Sequence, residues 1–173
     1  MKKLLLVLVF AILGITTTFG QGAGSTASAS TSATVITPIS IDKIIDLNFG
    51  TLAVDATQGG TVVMAPTSAN SRSLTGGITL PNVTGTVTAA KFTVKGEGSS
   101  TYAITLPGDI TLTGQNTAKT MTVGKFTSTP SSTGQLNSGT QDIFVGATLT
   151  VVAAQAADVY TNASDLKVTV NYN

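Results

Sequence analysis

The side chains most often used for catalysis are missing from this sequence. It contains no histidine and no cysteine, which excludes histidine-based triads, cysteine nucleophiles and ordinary zinc sites. The eight acidic residues stand singly rather than in pairs, and without tryptophan a sugar would lack a good stacking surface, so a two-carboxylate glycosidase is disfavoured. We therefore predict that the protein is not an enzyme and has no catalytic residues and no cofactor.

One group of oxygen-bearing side chains has a spacing that could suggest calcium. Asp158, Asn162 and Asp165 follow one another at intervals of four and three residues. The segment lacks the dense acidic pattern and the turn glycine of an EF-hand loop, however. Solvated loop residues account for this group better, and we predict no metal site.

Residues 1–20 have the features of a secretory signal peptide. A short basic start precedes an apolar run from Leu4 to Ile15, and small residues precede Gln21. The run is shorter than the ~20 residues of a membrane-spanning helix. We predict export through the secretory pathway to the periplasm, the cell surface or the medium, with a mature chain that starts at Gln21 and has no membrane span.

The mature chain is predicted to be nearly uncharged. The whole sequence has nine basic and eight acidic residues, so removal of Lys2 and Lys3 changes the formal net charge from +1 to −1. No basic surface for nucleic acid remains. Charged residues make up 10% of the sequence, well under the ~25% of an ordinary soluble domain. Self-repulsion is therefore weak, and the surface tolerates association with copies of itself.

The rest of the chain divides into an arm and one β domain. Residues 21–34 are a low-complexity Gly/Ser/Ala/Thr stretch typical of a flexible arm. In residues 35–173, short runs rich in Val, Ile and Thr are separated by Gly, Pro and Asn. We predict an all-β, immunoglobulin-like antiparallel β-sandwich of roughly 8–10 short strands. The predicted strands lie near 35–46, 47–54, 60–65, 76–80, 89–96, 101–106, 109–113, 119–127, 143–153 and 164–172.

Alternation within these strands predicts a core and a turn. Side chains in a strand point to opposite faces in turn, and GEGSS (96–100) is typical of a hairpin loop between two strands. AAQAAD (153–158) is expected to be a loop. The predicted inward-facing residues are Phe92, Val94, Tyr102, Ile104, Leu106, Phe144, Leu149, Val151, Val168 and Val170.

Four stretches together resemble a known family. They are LNFGTLAV (47–54), AKFTVKGEGSSTYAITLP (90–107), VGATLTVVAAQAADVYT (145–161) and VTVNYN (168–173). Their order and spacing are similar to those of a family of small secreted bacterial proteins catalogued as a domain of unknown function. The resemblance implies an immunoglobulin-like β-sandwich reminiscent of fimbrial subunits, and it implies no catalytic residue. The sequence departs from the family pattern at Asp158, where the family usually has a turn glycine.

The two ends of the domain have the pattern of strands that pair with a partner. The last ten residues alternate apolar and polar side chains up to a penultimate tyrosine. Subunits of chaperone-assembled pili end in such a strand, which the chaperone binds by β-augmentation. A second alternating series follows the arm and could be donated to a neighbour, or it could be the first strand of its own domain. The candidate strand-exchange or chaperone contacts are Val35, Ile39, Ile41, Leu166, Val168, Val170 and Tyr172.

These features predict a secreted structural protein of the bacterial cell surface, with a self-assembling fimbria- or pilus-like subunit as its most concrete form. The predicted partners are copies of itself and a periplasmic chaperone. Two features of pilins are missing, namely their disulfide and a glycine at the position of Tyr160. The alternative is a monomeric surface or periplasmic binding module of the adhesin type. A small outer-membrane barrel is a weaker alternative, because the chain has too few aromatic residues for two membrane girdles.

Overall fold

The computed structural model of the protein describes residues 24–173, so the predicted signal peptide and its cleavage site lie outside the described residues. The chain falls into two units, and the first ends at Thr34. Residues 24–34 have no regular secondary structure and are exposed. The second unit, Val35–Asn173, holds every strand that the structure describes. A search of residues 24–173 finds no helix with the length and apolar character needed to cross a membrane.

The second unit is all-β, which confirms the predicted fold class. Every strand pairing is antiparallel. The finer prediction of an immunoglobulin-like sandwich stays a prediction. The strands are β1 (Ser40–Ile45), β2 (Ala53–Val54), β3 (Gly60–Met64), β4 (Arg72–Gly76), β5 (Ile78–Thr79), β6 (Ala90–Lys95), β7 (Thr101–Thr105), β8 (Ile110–Gly114), β9 (Thr120–Thr129), β10 (Thr133–Gln135), β11 (Thr140–Val151), β12 (Tyr160–Thr161) and β13 (Thr169–Tyr172).

The strands form one large sheet and two small ones. The large sheet has the order β1-β6-β11-β9-β8-β12. In addition, β3 pairs with the C-terminal half of β11, and β4 pairs with β3. The second sheet has the order β10-β7-β13, and the third pairs β2 with β5. The long strand β11 is central because it pairs with β6 and β3 along one edge and with β9 along the other.

Two apolar clusters hold the sheets together. The first joins β3, β9 and the C-terminal half of β11 to β5 and to the buried ring of Phe49. The second joins β6 and the N-terminal half of β11 to β7 and β13, so the three-stranded sheet covers one end of the large sheet. Tyr102 is fully buried in this second cluster, its hydroxyl donates to Gln141 Oε1 at 2.6 Å, and burial raises its pKa to about 12.

Most of the predicted inward-facing residues lie in these clusters. Seven of them are buried, and Leu106 and Val168 are partly buried. The prediction is wrong for Phe144: its neighbours Ile143 and Val145 are fully buried instead. All three residues are apolar, so the pattern left the inner face of β11 ambiguous. Phe144 lies on the other face, where Lys91 Nζ is 5.8 Å from its ring centre.

Several predicted elements are corrected by the structure. GEGSS is not a hairpin loop, because β6 and β7 belong to different sheets and the segment crosses between them with Gly98 at φ 47°. Three short strands were missed, β4, β10 and β12, because they contain few apolar residues. Most of 47–54 is not a strand; only β2 and one isolated bridge at Asn48 lie there. The expected loop at 153–158 contains neither strand nor helix.

Candidate functional site

The two ends of the second unit meet at one place, which we call the seam. It is formed by residues 37–45 on one side and residues 166–172 on the other. β1 is an edge of the large sheet and β13 is an edge of the three-stranded sheet. Their nearest Cα atoms lie within 8 Å of each other, although the two strands are not paired. The seam therefore brings together both segments that the sequence singled out.

Six of the seven candidate residues pack against the second cluster at the seam. Val170 is itself buried within it. Val35 lies apart from the others, with 96% of its surface exposed. The predicted donor and acceptor residues therefore contact the same core within one chain. The five that pack beside Val170 are Ile39, Ile41, Leu166, Val168 and Tyr172.

The main chain of β13 has a free side. The amide of Asn173 donates to the carbonyl of Thr101, which continues the register between β13 and β7. In an antiparallel pair, main-chain groups point to the partner only at every second residue. The groups of Thr169 and Asn171 therefore face β7, while those of Val170 and Tyr172 point away from it. Within residues 24–173 no strand pairs with this outer side.

The main chain of β1 has a free side as well. Gly96 donates to Gly139 on the β11 side of β6, so the alternate residues Thr93 and Lys95 face β1. Their partners in β1 are Asp42 and Ser40, and the main chain of Ile41 points away from β6. A strand placed between β1 and β13 would need roughly 9.5 Å, twice the usual spacing. The seam is too narrow for that while β1 is in place.

A hydrogen-bonded clasp holds the seam closed. The Tyr172 hydroxyl donates to the carbonyl of Thr37 at 2.9 Å and accepts from the amide of Glu97 at 2.6 Å. The amide of Thr37 in turn donates to Glu97 Oε2 at 3.0 Å, and hydrogen bonds from Thr37 lower the pKa of Glu97. Gly96 makes room for the ring, since a Cβ there would lie 2.2 Å from the Tyr172 hydroxyl. We call Thr37, Glu97 and Tyr172 the clasp.

The charged pairs near the seam contribute little to its stability. Lys95 Nζ lies 2.9 Å from Asp42 Oδ2, and Lys43 Nζ lies 2.7 Å from Asp46 Oδ1. More than half of each side chain is exposed. Exposed ion pairs of this kind are worth about 0–1 kcal/mol. The cohesion of the seam comes from its apolar contacts, the clasp and the pairing of β1 with β6.

A family model matches residues 39–172, which cover the seam except residues 37 and 38 and nearly all of the second unit. The family is described as Domain of unknown function (DUF4402). The chain belongs to this family. The predicted family is thereby confirmed, whereas the likeness of this DUF4402 protein to fimbrial subunits stays a prediction. No curated protein and no solved structure matches the chain.

The polar group at Asp158 is divided between two turns of the DUF4402 domain. Asp158 accepts hydrogen bonds from the amides of Asn116 and Thr117 and from their side chains. Burial alone would raise the pKa of Asp158, but these bonds outweigh it and lower the pKa well below the usual value. Asn162 instead binds Asp165 within its own loop. A search of the described residues finds no group of side chains able to hold a metal ion.

Sequence reasoning missed two of the three clasp residues. Glu97 and Thr37 are 60 residues apart, and no local pattern connects them. Gly96 was interpreted only as a turn residue, whereas its lack of a side chain also admits Tyr172. Arg72 was missed as well. It is the one arginine of the sequence, and its guanidinium donates to the carbonyl of Phe49, in the loop after β1.

Proposed function

We propose that this DUF4402 protein is a secreted structural protein of the bacterial cell surface whose copies associate into fimbria-like assemblies through the seam. The observation that carries the proposal is the meeting of two free strand edges, one from each end of the domain. A free edge presents a row of main-chain donors and acceptors, which is a ready template for pairing with another chain.

The β13 edge lacks the usual protection against such pairing. Natural proteins guard an edge strand with charged side chains, proline or a bulge. β13 has the sequence TVNY, without a charge or a proline, and its register with β7 is regular. Thr169 and Asn171 are exposed and uncharged. When β1 is not in the seam, this edge is therefore suited to a partner strand, which during export would be supplied by a periplasmic chaperone.

Apolar side chains beside the clasp support the same function. Val35 is 96% exposed and Ile36 is 52% exposed, and they directly precede Thr37. Nearly all of Val35 and about half of Ile36 are accessible, so burying them against another copy would gain hydrophobic stabilisation. Electrostatic repulsion between two copies is weak because the sequence has few charged residues.

The test blocks the edge without disturbing the core. Thr169→Lys with Asn171→Lys places two charges on exposed positions of β13 and should suppress association, because charged edges resist pairing. The matched control is Thr111→Lys with Thr113→Lys on β8, which is paired on both sides. Mass as a function of concentration is measured by analytical ultracentrifugation, and assemblies are examined by electron microscopy.

The proposal predicts that the original protein and the β8 variant assemble, and that the β13 variant does not. Circular dichroism checks that all three proteins remain folded. An original protein that stays monomeric at every concentration would contradict the proposal, as would equal assembly of all three. The cellular location is tested separately: protease added to intact cells should digest the protein if it lies on the cell surface.

A further inference from the structure

β1 is held more weakly than the other long strands. Of its six residues only Ile41 is even partly buried, whereas β6 beside it has three buried residues. Its remaining contacts are main-chain bonds to β6 and exposed ion pairs. The pairing also shifts register between Lys43 and Ile45. Segments with few buried contacts open locally at low free energy, so β1 is a segment that can leave.

The chain immediately after β1 is firmly anchored. Asn48 exchanges two main-chain bonds with Thr88, at 2.8 and 2.9 Å, and the amide of Thr51 donates to Thr84 at 2.7 Å. Between them the Phe49 ring is buried, and the carbonyl of Phe49 accepts from Arg72. Only residues 46 and 47 separate this anchor from the end of β1. They form a short hinge whose Asp46 carbonyl also accepts from Thr88 Oγ1 at 2.7 Å. A short hinge held at its C-terminal side gives β1 little slack to fold back, which favours exchange of the segment.

We infer that residues 39–45 leave their own domain and occupy the same position in a second copy. This inference rests on the proposed function and names its mechanism. The structure shows that the surface accepts this segment, because Ile39 and Ile41 are seated on it in the closed chain. Identical copies can make all of these contacts between chains as well as within one, so exchange sacrifices none of them. Exchange also avoids inserting an extra strand into a seam that is too narrow for it. The incoming segment must pass beside the β13 edge that the departing β1 uncovers, so charges placed on that edge oppose its entry.

The clasp sets the rate at which the segment leaves. Thr37 lies just before the exchanging segment and is bound by both Tyr172 and Glu97. Tyr172→Phe removes the hydroxyl and should speed exchange about 5- to 30-fold, as expected when one or two kcal/mol of closed-state stability is lost. Tyr160→Phe is the matched control. The Tyr160 hydroxyl also makes two hydrogen bonds, to Ala156 and Gln155, but Tyr160 does not belong to the seam.

The test uses disulfide formation between chains, since the protein has no cysteine of its own. Asp42 and Thr93 are directly opposite each other in β1 and β6, at a separation that a disulfide can bridge. Secreted protein with Asp42→Cys is mixed with secreted protein with Thr93→Cys under oxidising conditions. Pairing of β1 of one chain with β6 of the other holds the two cysteines together, so linked heterodimers are expected in excess over those that random collision of exposed cysteines gives.

The control mixture carries Thr111→Cys on one chain and Thr122→Cys on the other. These residues are also directly opposite and exposed, but they lie on β8 and β9, which do not exchange. Heterodimers in the first mixture and not in the second support β1 exchange, and so does faster linkage with Tyr172→Phe than with Tyr160→Phe. Assembly without heterodimers overturns the inference and leaves the proposed self-association intact. The absence of any assembly overturns both.

Discussion

Removing the Tyr172 hydroxyl should destabilise the closed chain by an amount that the structure allows us to calculate. Tyr172→Phe eliminates two hydrogen bonds, one donated to Thr37 and one accepted from Glu97. Each is worth about 0.5–1.5 kcal/mol net. Because the ring is only partly buried and water can reach the freed groups, we expect the lower half of the summed range, about 1–2 kcal/mol.

Urea denaturation followed by circular dichroism measures this change. With a slope of about 2 kcal/mol/M, the middle of the range for a small domain, the midpoint should fall by roughly 0.5–1 M without a change in slope. A second substitution tests the geometry. Gly96→Ala places a Cβ against the Tyr172 hydroxyl, so it should be less destabilising in the Tyr172→Phe background than in the original protein, with a coupling of at least ~0.5 kcal/mol. An unchanged midpoint for Tyr172→Phe, together with additive effects of the two substitutions, would show that the clasp does not form.

Four further predictions concern the core, the pH dependence, the seam and export. Phe92→Ala should lower the free energy of unfolding by about 3–5 kcal/mol because the ring is buried, whereas Phe144→Ala on the outer face should lower it by about 1 kcal/mol or less; equal effects would mean that the sheet faces are misassigned. The folded-state pKa of Asp158 is lowered, so its contribution to stability is complete above the unfolded value of about 3.9 and is lost as the pH falls below it; a pH titration of the melting temperature should therefore be flatter below pH 4 for Asp158→Asn. Ile39→Asp should lower the melting temperature of the monomer because Ile39 packs against its own domain, while Val159→Asp at a 58% exposed position should not; a monomer unaffected by Ile39→Asp would place Ile39 in a neighbour's core instead. Exported protein should begin at or within a few residues of Gln21 by terminal sequencing, and an intact Met1 on surface-located protein would contradict the predicted signal peptide.

The strands with clear alternation could be predicted from the sequence, because burial of one sheet face imposes a period of two. β6 and β7 are such strands, and their inward residues Phe92, Val94, Tyr102 and Ile104 are all buried. β10 could not be predicted in this way. Its sequence, TGQ, is held by main-chain pairing with β7 and by the approach of Gly134 to the Tyr102 ring, and neither leaves an apolar pattern.

The candidate site was predictable as two separate segments and not as one place. Alternation indicated strands at residues 35–41 and 166–172. The contact between them depends on strand order, which places β1 in the large sheet and β13 in the three-stranded sheet. The hairpin expected at GEGSS failed for the same reason. Two adjacent alternating strands are compatible with pairing in one sheet or with a crossing between sheets, and only the remaining strands decide which occurs.

The most direct test of the central claim uses one chain that carries both Asp42→Cys and Thr93→Cys. In the closed monomer these positions face each other, so oxidation locks β1 to its own domain. We expect the oxidised monomer to stay monomeric in analytical ultracentrifugation at concentrations where the original protein assembles, and we expect a reductant to restore assembly. Equal assembly of the oxidised and the reduced protein would contradict β1 exchange, because copies would then associate without moving β1.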